Sequence, residues 1–223
     1  KSIGKSTKSS DTSKSAEKID LKGHIAIPGI VDMKAFVGEP GFEYKENFRT
    51  LSQAALAGGV TSIVTMPNTK PVIDNVSMVD FIIRRGRDKA MVNLFPCASI
   101  TRQMEGLLMT EFGLLKTRGI IGFSDVNKTI QNTELMSRVM NYASDLDVLI
   151  MQHAEDYELS KNSCINEGEI ATRLGLQGVS DIAEKIIIER DLSLLEDYPC
   201  RYHISQLSSA KSVEVIKKYK KEG

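Results

Sequence analysis

The chain has 223 residues, of which 41% are hydrophobic and 26% are charged, a composition typical of one globular domain with or without an extension. Lys plus Arg and Asp plus Glu both number 29, so the formal net charge is zero, and no basic block indicates a nucleic-acid or membrane-surface partner. No apolar run approaches the roughly 20 residues of a membrane span. Three widely spaced cysteines exclude a disulfide framework and fit a reducing compartment. We therefore expect a cytoplasmic protein that binds neither nucleic acid nor membrane.

The first 24 residues differ in composition from the rest of the chain. Segment 1–24 is rich in Lys and Ser and has too few apolar side chains to bury a core. We predict a mobile loop or tail there, followed by one main domain over 25–223.

From residue 25 onward, short runs rich in Val and Ile alternate with amphipathic stretches. Continuous rather than alternating apolarity is typical of strands buried on both faces, as in a parallel sheet. Strand and helix patterns in alternation predict an α/β fold. The predicted strands are 25–33, 61–68, 92–100, 119–125, 148–154 and 201–207, and the predicted helices are 43–57, 75–90, 104–117, 132–145, 180–195 and 209–221.

Two architectures fit this alternation, an open doubly wound sheet and a (β/α)8 TIM-type barrel. No Gly-rich dinucleotide fingerprint follows the first strand, which disfavours the first. Polar residues end several predicted strands, as at the active rim of a barrel. These residues are Asp32, Asn68, Asp125, His153 and Gln206. The pattern favours the barrel, but only about six of eight β/α units are present, so we expect it to be incomplete.

Several strings resemble the class I dihydroorotases of the amidohydrolase superfamily. The most specific are EPGFEYKE (39–46), MPNTKPVIDN (66–75) and NEGE (166–169). Hydantoinases and dihydropyrimidinases share the fold of this family but not these strings. The resemblance implies a zinc-dependent cyclic amide hydrolase of pyrimidine biosynthesis, which interconverts carbamoyl aspartate and dihydroorotate. It also offers a second reading of segment 1–24, as the remnant of a small N-terminal β domain.

The family's metal ligands are only partly present. Asp125 and His153 match its bridging carboxylate and its fifth-strand histidine. The two first-strand histidines are replaced by Lys34 and Phe36, and the sixth-strand histidine by Gln206. A protonated lysine has no lone pair for a metal, and a phenyl ring has no donor atom. The resemblance therefore leaves Asp125 and His153 as remnant ligands.

The family's substrate contacts are also incomplete. An arginine that clamps the substrate carboxylate is replaced by Gly38, whereas the asparagine that contacts the same carboxylate is retained as Asn68. The family's general base, an aspartate after the eighth strand, matches no position of this chain. We expect His203, three residues before Gln206, to be a buried, hydrogen-bonded structural histidine and not a ligand. His24 matches no site position, and we expect it to be structural or exposed.

Two ligands are too few for a catalytic zinc, which usually has three from the protein. The leading hypothesis is a degenerate dihydroorotase that binds zinc weakly or not at all and acts as a scaffold. Inactive relatives imply aspartate transcarbamoylase as a partner, with self-association as the alternative.

The sequence also fits two other functions. An active zinc enzyme would need new ligands, such as Glu155, Asp156 or Asp32, or completion by missing segments. A small-molecule sensor would use the Lys34 ammonium to hold an anion near Asn68 and His153.

Overall fold

The computed structural model describes residues 22–222, so most of the Lys/Ser-rich segment lies outside the described residues. The strands are β1 (Ile30–Ala35), β2 (Val60–Thr65), β3 (Asn93–Ala98), β4 (Gly122–Phe123), β5 (Leu149–Gln152), β6 (Ile165–Asn166), β7 (Gly178–Val179) and β8 (Arg201–Ile204). The helices are α1 (Phe48–Ala57), α2 (Val76–Lys89), α3 (Phe112–Thr117), α4 (Thr133–Leu146), α5 (Tyr157–Ser160), α6 (Glu169–Leu174), α7 (Asp181–Asp197) and α8 (Ala210–Glu222). None of these helices is long and apolar enough to cross a membrane.

Six of the strands form one parallel sheet in the order β1-β2-β3-β4-β5-β8. The short strands β6 and β7 pair separately, in the segment between β5 and α7. The sheet is a half-barrel of the TIM type, which confirms the predicted α/β class and the six predicted β/α units. Within residues 22–222, β1 and β8 are the two edges of this sheet.

Apolar side chains fill both faces of the sheet, which explains the continuous apolar runs of the strands. The larger core lies between the sheet and the helices, and α4 contributes five buried residues to it at helical spacing. A smaller core on the opposite face contains no helix residue. Its buried members are Val64, Met66, Cys97, Val126 and Met151. This second layer is the packed interior of the half-barrel.

The helix boundaries follow the sequence signals with one clear difference. The Asn132 side chain caps α4 by accepting the Leu135 N–H at 2.9 Å, a common role of asparagine at the start of a helix. The helix predicted at 104–117 is wrong over its first half, because α3 begins only at Phe112. A short 3-10 turn, a left-handed Gly106 with φ +72° and an isolated bridge between Thr101 and Met109 occupy that part instead.

A buried carboxylate joins α7 to the last strand. Asp191 is fully buried and accepts hydrogen bonds from the Arg190 guanidinium at 2.7 Å and from the Tyr202 hydroxyl at 2.5 Å. Burial raises the pKa of Asp191 and also that of Tyr202. The contact fixes β8 against the helix that precedes it.

Candidate functional site

The sequence-predicted site residues lie at the carboxyl ends of parallel strands. Lys34 lies near the end of β1, and Asn68, Asp125, His153 and Gln206 follow β2, β4, β5 and β8. Because the strands are parallel, these ends share one edge of the sheet, where barrel enzymes place their chemistry. The hydrogen bonds of each side chain show which of these residues share an environment.

Asp125 is a buried anchor for the loop after β3. Its Oδ1 accepts hydrogen bonds from the backbone N–H groups of Ile100 at 2.8 Å and Thr101 at 3.1 Å, and its Oδ2 accepts one from the Thr101 hydroxyl. The residue is 1% exposed, and this burial raises the pKa of the carboxyl to about 6. Both oxygens are therefore engaged within the protein.

His153 is paired with a neighbouring carboxylate. Its Nε2 lies 2.9 Å from Glu155 Oε2, and the Thr129 hydroxyl donates to the His153 carbonyl oxygen at 2.5 Å. The same hydroxyl accepts the Glu155 N–H at 3.0 Å, so the turn after β5 is held at two points. Nδ1 is buried and has no hydrogen-bond partner among the described residues. One ring nitrogen is thus available to a ligand.

Lys34 connects β1 to loops on the other side of the half-barrel. Its Nζ lies 3.1 Å from Asn127 Oδ1 and 3.5 Å from Gln206 Oε1. The side chain is half-buried, and burial lowers the pKa of the ammonium group. Burial and then the Lys34 charge lower the pKa of His203. Lys34 therefore shares one environment with His203 and Gln206, which lie together in and after β8, far from Lys34 in the sequence.

The segment after β1 leaves no space for a side chain at Gly38. Gly38 has a left-handed φ of +73°, and a Cβ there would lie 2.4 Å from the Glu46 carbonyl oxygen and 2.9 Å from that of Phe42. The ring of Phe36 lies 6.1 Å from that of Phe42 in a tilted arrangement. The buried Glu39 carboxylate binds Arg85 of α2 at 2.6 Å, which fixes the segment against the next helix.

Asn68 lies in the loop after β2, and its side-chain oxygen has no hydrogen-bond partner in the described part of the chain. Its Oδ1 is buried and unbonded within residues 22–222, and no hydrogen bond links it to Lys34 or His153 there. The structure does not bring this residue into the Lys34 cluster.

A cleft of about 860 Å³ opens between the ends of β5 and β8. His153 and Gln206 line it together with four carboxylates: Glu155, Glu167, Asp181 and Glu184. Three hydrogen bonds to Glu184 hold one wall of the cleft in place. Glu184 accepts the backbone N–H and hydroxyl of Ser208, each at 2.7 Å, and the N–H of Ser209 at 3.2 Å. Sequence reasoning missed this role of Glu184, since only its place in the first turn of α7 marked it.

Similarity to known proteins identifies the family of this chain. A protein-family model described as "Dihydro-orotase-like" matches residues 23–212. The chain belongs to this family. It is 46% identical over 205 residues to the dihydroorotase of Syntrophus aciditrophicus, covering 92% of this chain and 48% of that protein. It is 40% identical over 209 residues to the dihydroorotase of Anaplasma phagocytophilum, covering 93% of this chain and 46% of that protein. The chain thus spans about half the length of these curated relatives.

Solved structures of the same architecture also cover most of the described residues. The L-hydantoinase of Arthrobacter aurescens matches with a TM-score of 0.71 at 18% identity, over 88% of this chain and 45% of that chain. The dihydroorotase of Saccharomyces cerevisiae in complex with 5-fluoroorotic acid matches with a TM-score of 0.62 at 14% identity, over 86% and 51%. These likenesses establish the barrel fold of the family.

Zinc, which the family implies, does not fit the side chains present. Within residues 22–222, no three His, Cys, Asp or Glu side chains form a group that could hold a metal ion. Both Asp125 oxygens and one nitrogen of His153 already have protein partners, and a cation stands at Lys34. A catalytic zinc usually needs three protein ligands and an open position. We therefore derive no catalytic step through zinc.

Proposed function

We propose that this chain is a degenerate class I dihydroorotase that does not hydrolyse dihydroorotate by itself and acts as a binding scaffold in pyrimidine biosynthesis. The observation that carries the proposal is the Lys34 ammonium, held between Asn127 and Gln206 at the barrel mouth. A fixed cation at the same sheet edge as the remaining candidate ligands opposes a divalent cation by charge repulsion.

The environments of the two remnant ligands support the same proposal. Asp125 binds the backbone after β3, and His153 pairs with Glu155. These contacts give both residues structural roles that need no metal. A metal-activated water and a clamped substrate each lower a hydrolytic barrier by several kcal/mol, and each ~1.36 kcal/mol is a tenfold change in rate. Without them we expect no useful turnover.

For the partner we propose aspartate transcarbamoylase, with self-association as the alternative, both in the cytoplasm. These partners are the ones that the resemblance to inactive members of the family implies.

The competing function is an active dihydroorotase with a rearranged zinc site. The observation in its favour is the buried Nδ1 of His153, which lacks a partner among the described residues and has a lone pair available. Glu155, already 2.9 Å from the same ring, would be the nearest second ligand.

A joint measurement of zinc binding and dihydroorotate hydrolysis tests the proposal. We expect the purified chain to bind well below one equivalent of zinc and to show no turnover above that of zinc in buffer. The Asp125→Asn, His153→Ala double variant is the control, and it should give the same result as the parent chain. Turnover by the parent chain that disappears in the double variant would refute the proposal and establish the rearranged site.

Association is measured separately, by analytical ultracentrifugation of the chain alone and with purified aspartate transcarbamoylase. Co-sedimentation supports the named partner, and a concentration-dependent dimer supports self-association. A monomer under both conditions would contradict the scaffold role.

A further inference from the structure

The Lys34 ammonium is a half-buried charge that has no counter-charge among residues 22–222. Its two hydrogen-bond acceptors, Asn127 Oδ1 and Gln206 Oε1, belong to neutral amides. Among the described residues Lys34 takes part in no ion pair. Partly buried charges are normally paired, since desolvation disfavours the charged form. A cation in this position is the expected partner of an anion that the described residues do not supply.

The surroundings of Lys34 are suited to accept such an anion. An ammonium group has three N–H donors, of which two are directed to the neighbouring amides. Each of those amides can rotate to present its NH2 group instead of its carbonyl oxygen. A carboxylate, which accepts up to four hydrogen bonds, would then be bound by one ammonium and two amide donors.

The negative charge of the neighbouring cleft favours a small anion with a single negative charge at the Lys34 site. Gln206, which contacts Lys34, also lines the cleft. The same cleft carries four carboxylates, with Lys211 as its one lysine. Repulsion between like charges disfavours dianions such as phosphate next to this wall. A monocarboxylate needs only the single positive charge that Lys34 offers.

We infer that the mouth of the half-barrel holds a binding site for a small monocarboxylate, with Lys34 as its counter-charge and the Asn127 and Gln206 amides as its hydrogen-bond donors. This site lies at the barrel mouth and does not use Gly38 or Asn68, the positions related to carboxylate binding in the family. It goes beyond the scaffold role and does not depend on whether the chain catalyses a reaction.

Two of the three histidines provide a direct readout of the site, His203 as the reporter and His24 as the reference. His203 is close enough to Lys34 for its pKa to respond to that charge, whereas His24 lies before β1. Sodium acetate is titrated into the full chain at constant ionic strength, with sodium chloride as the replaced salt, and the imidazole proton resonances are followed by NMR. We expect the His203 resonances to shift with saturation at millimolar acetate and the His24 resonances to stay in place.

Variants test whether the response belongs to Lys34. Lys34→Met should weaken acetate binding at least about tenfold, while Lys34→Arg, which keeps the charge, should retain a saturable shift. Lys89→Met, at the end of α2, removes an equal charge elsewhere and should leave the titration unchanged. Inorganic phosphate should bind more weakly than acetate.

Several results would overturn the proposal. They are an unshifted His203 at 100-fold excess acetate, an equal response to chloride alone, a response that persists in Lys34→Met, and tighter binding of phosphate than of acetate. Because the readout is a histidine resonance, the outcome is independent of hydrolysis and of any protein partner.

Discussion

Replacing Asp125 with alanine is expected to destabilise the fold by about 3–5 kcal/mol. The change removes the acceptor of the Ile100 and Thr101 N–H groups and of the Thr101 hydroxyl, all of them buried. A buried donor left without a partner costs about 1–3 kcal/mol, and the loop after β3 cannot reach water without opening the core. Urea denaturation followed by circular dichroism measures the loss.

Asp125→Asn is the matched variant for this prediction. Its side-chain oxygen can still accept both backbone N–H groups, and its NH2 group can donate to the Thr101 hydroxyl oxygen, so we expect a loss below about 1.5 kcal/mol. If the alanine variant were as stable as the asparagine variant, the anchoring role of Asp125 would be wrong.

Introducing arginine at Gly38 is expected to destabilise the protein by about 2–5 kcal/mol and to leave it without affinity for carbamoyl aspartate. A left-handed backbone costs a residue with a Cβ about 1–2 kcal/mol, and the contact of 2.4 Å with the Glu46 carbonyl oxygen adds the cost of moving the segment. Thermal denaturation and calorimetric titration with carbamoyl aspartate give the two results.

Two alanine variants separate the cost of a left-handed backbone from the cost of steric overlap at Gly38. Gly38 and Gly59 have similar φ angles, +73° and +78°, but a Cβ at Gly59 would meet nothing within 4 Å. Gly59→Ala should therefore cost only the conformational term, about 1–2 kcal/mol, and Gly38→Ala clearly more. Equal losses of stability in the two variants would show that the segment after β1 can move to accommodate a Cβ at Gly38 at little energetic cost.

The sequence predicted the architecture well because burial on both faces leaves a strong local signal. Each of the six main strands overlaps one of the predicted strands. Asn132 and Ser180, whose residue types favour the start of a helix, cap α4 and α7. The short pair β6 and β7 was missed because two-residue strands have no periodicity to detect. The late start of α3, at Phe112 instead of residue 104, was missed because the pattern over residues 104–111 is helical apart from Gly106, which is left-handed.

The side chains of the candidate site were identified by strand position, but their contacts were not. Nothing in the sequence links Lys34 to Asn127 or assigns the Asp125 oxygens to the loop after β3. Such contacts depend on how distant strands are placed side by side, and this is decided by the packing of the whole sheet. The absence of space at Gly38 likewise depends on the path of residues 42–46.

The order of the strands has a consequence for how the chain folds. From β1 to β5 the order in the sheet is the order in the sequence, so each strand can join the one made just before it. β8 instead joins β5 across an excursion from residue 153 to residue 200. Closing this long loop carries the largest entropic cost in the sheet. We therefore expect the docking of β8, with its Asp191 link to α7, to be the slow step of folding and the first to be undone under force.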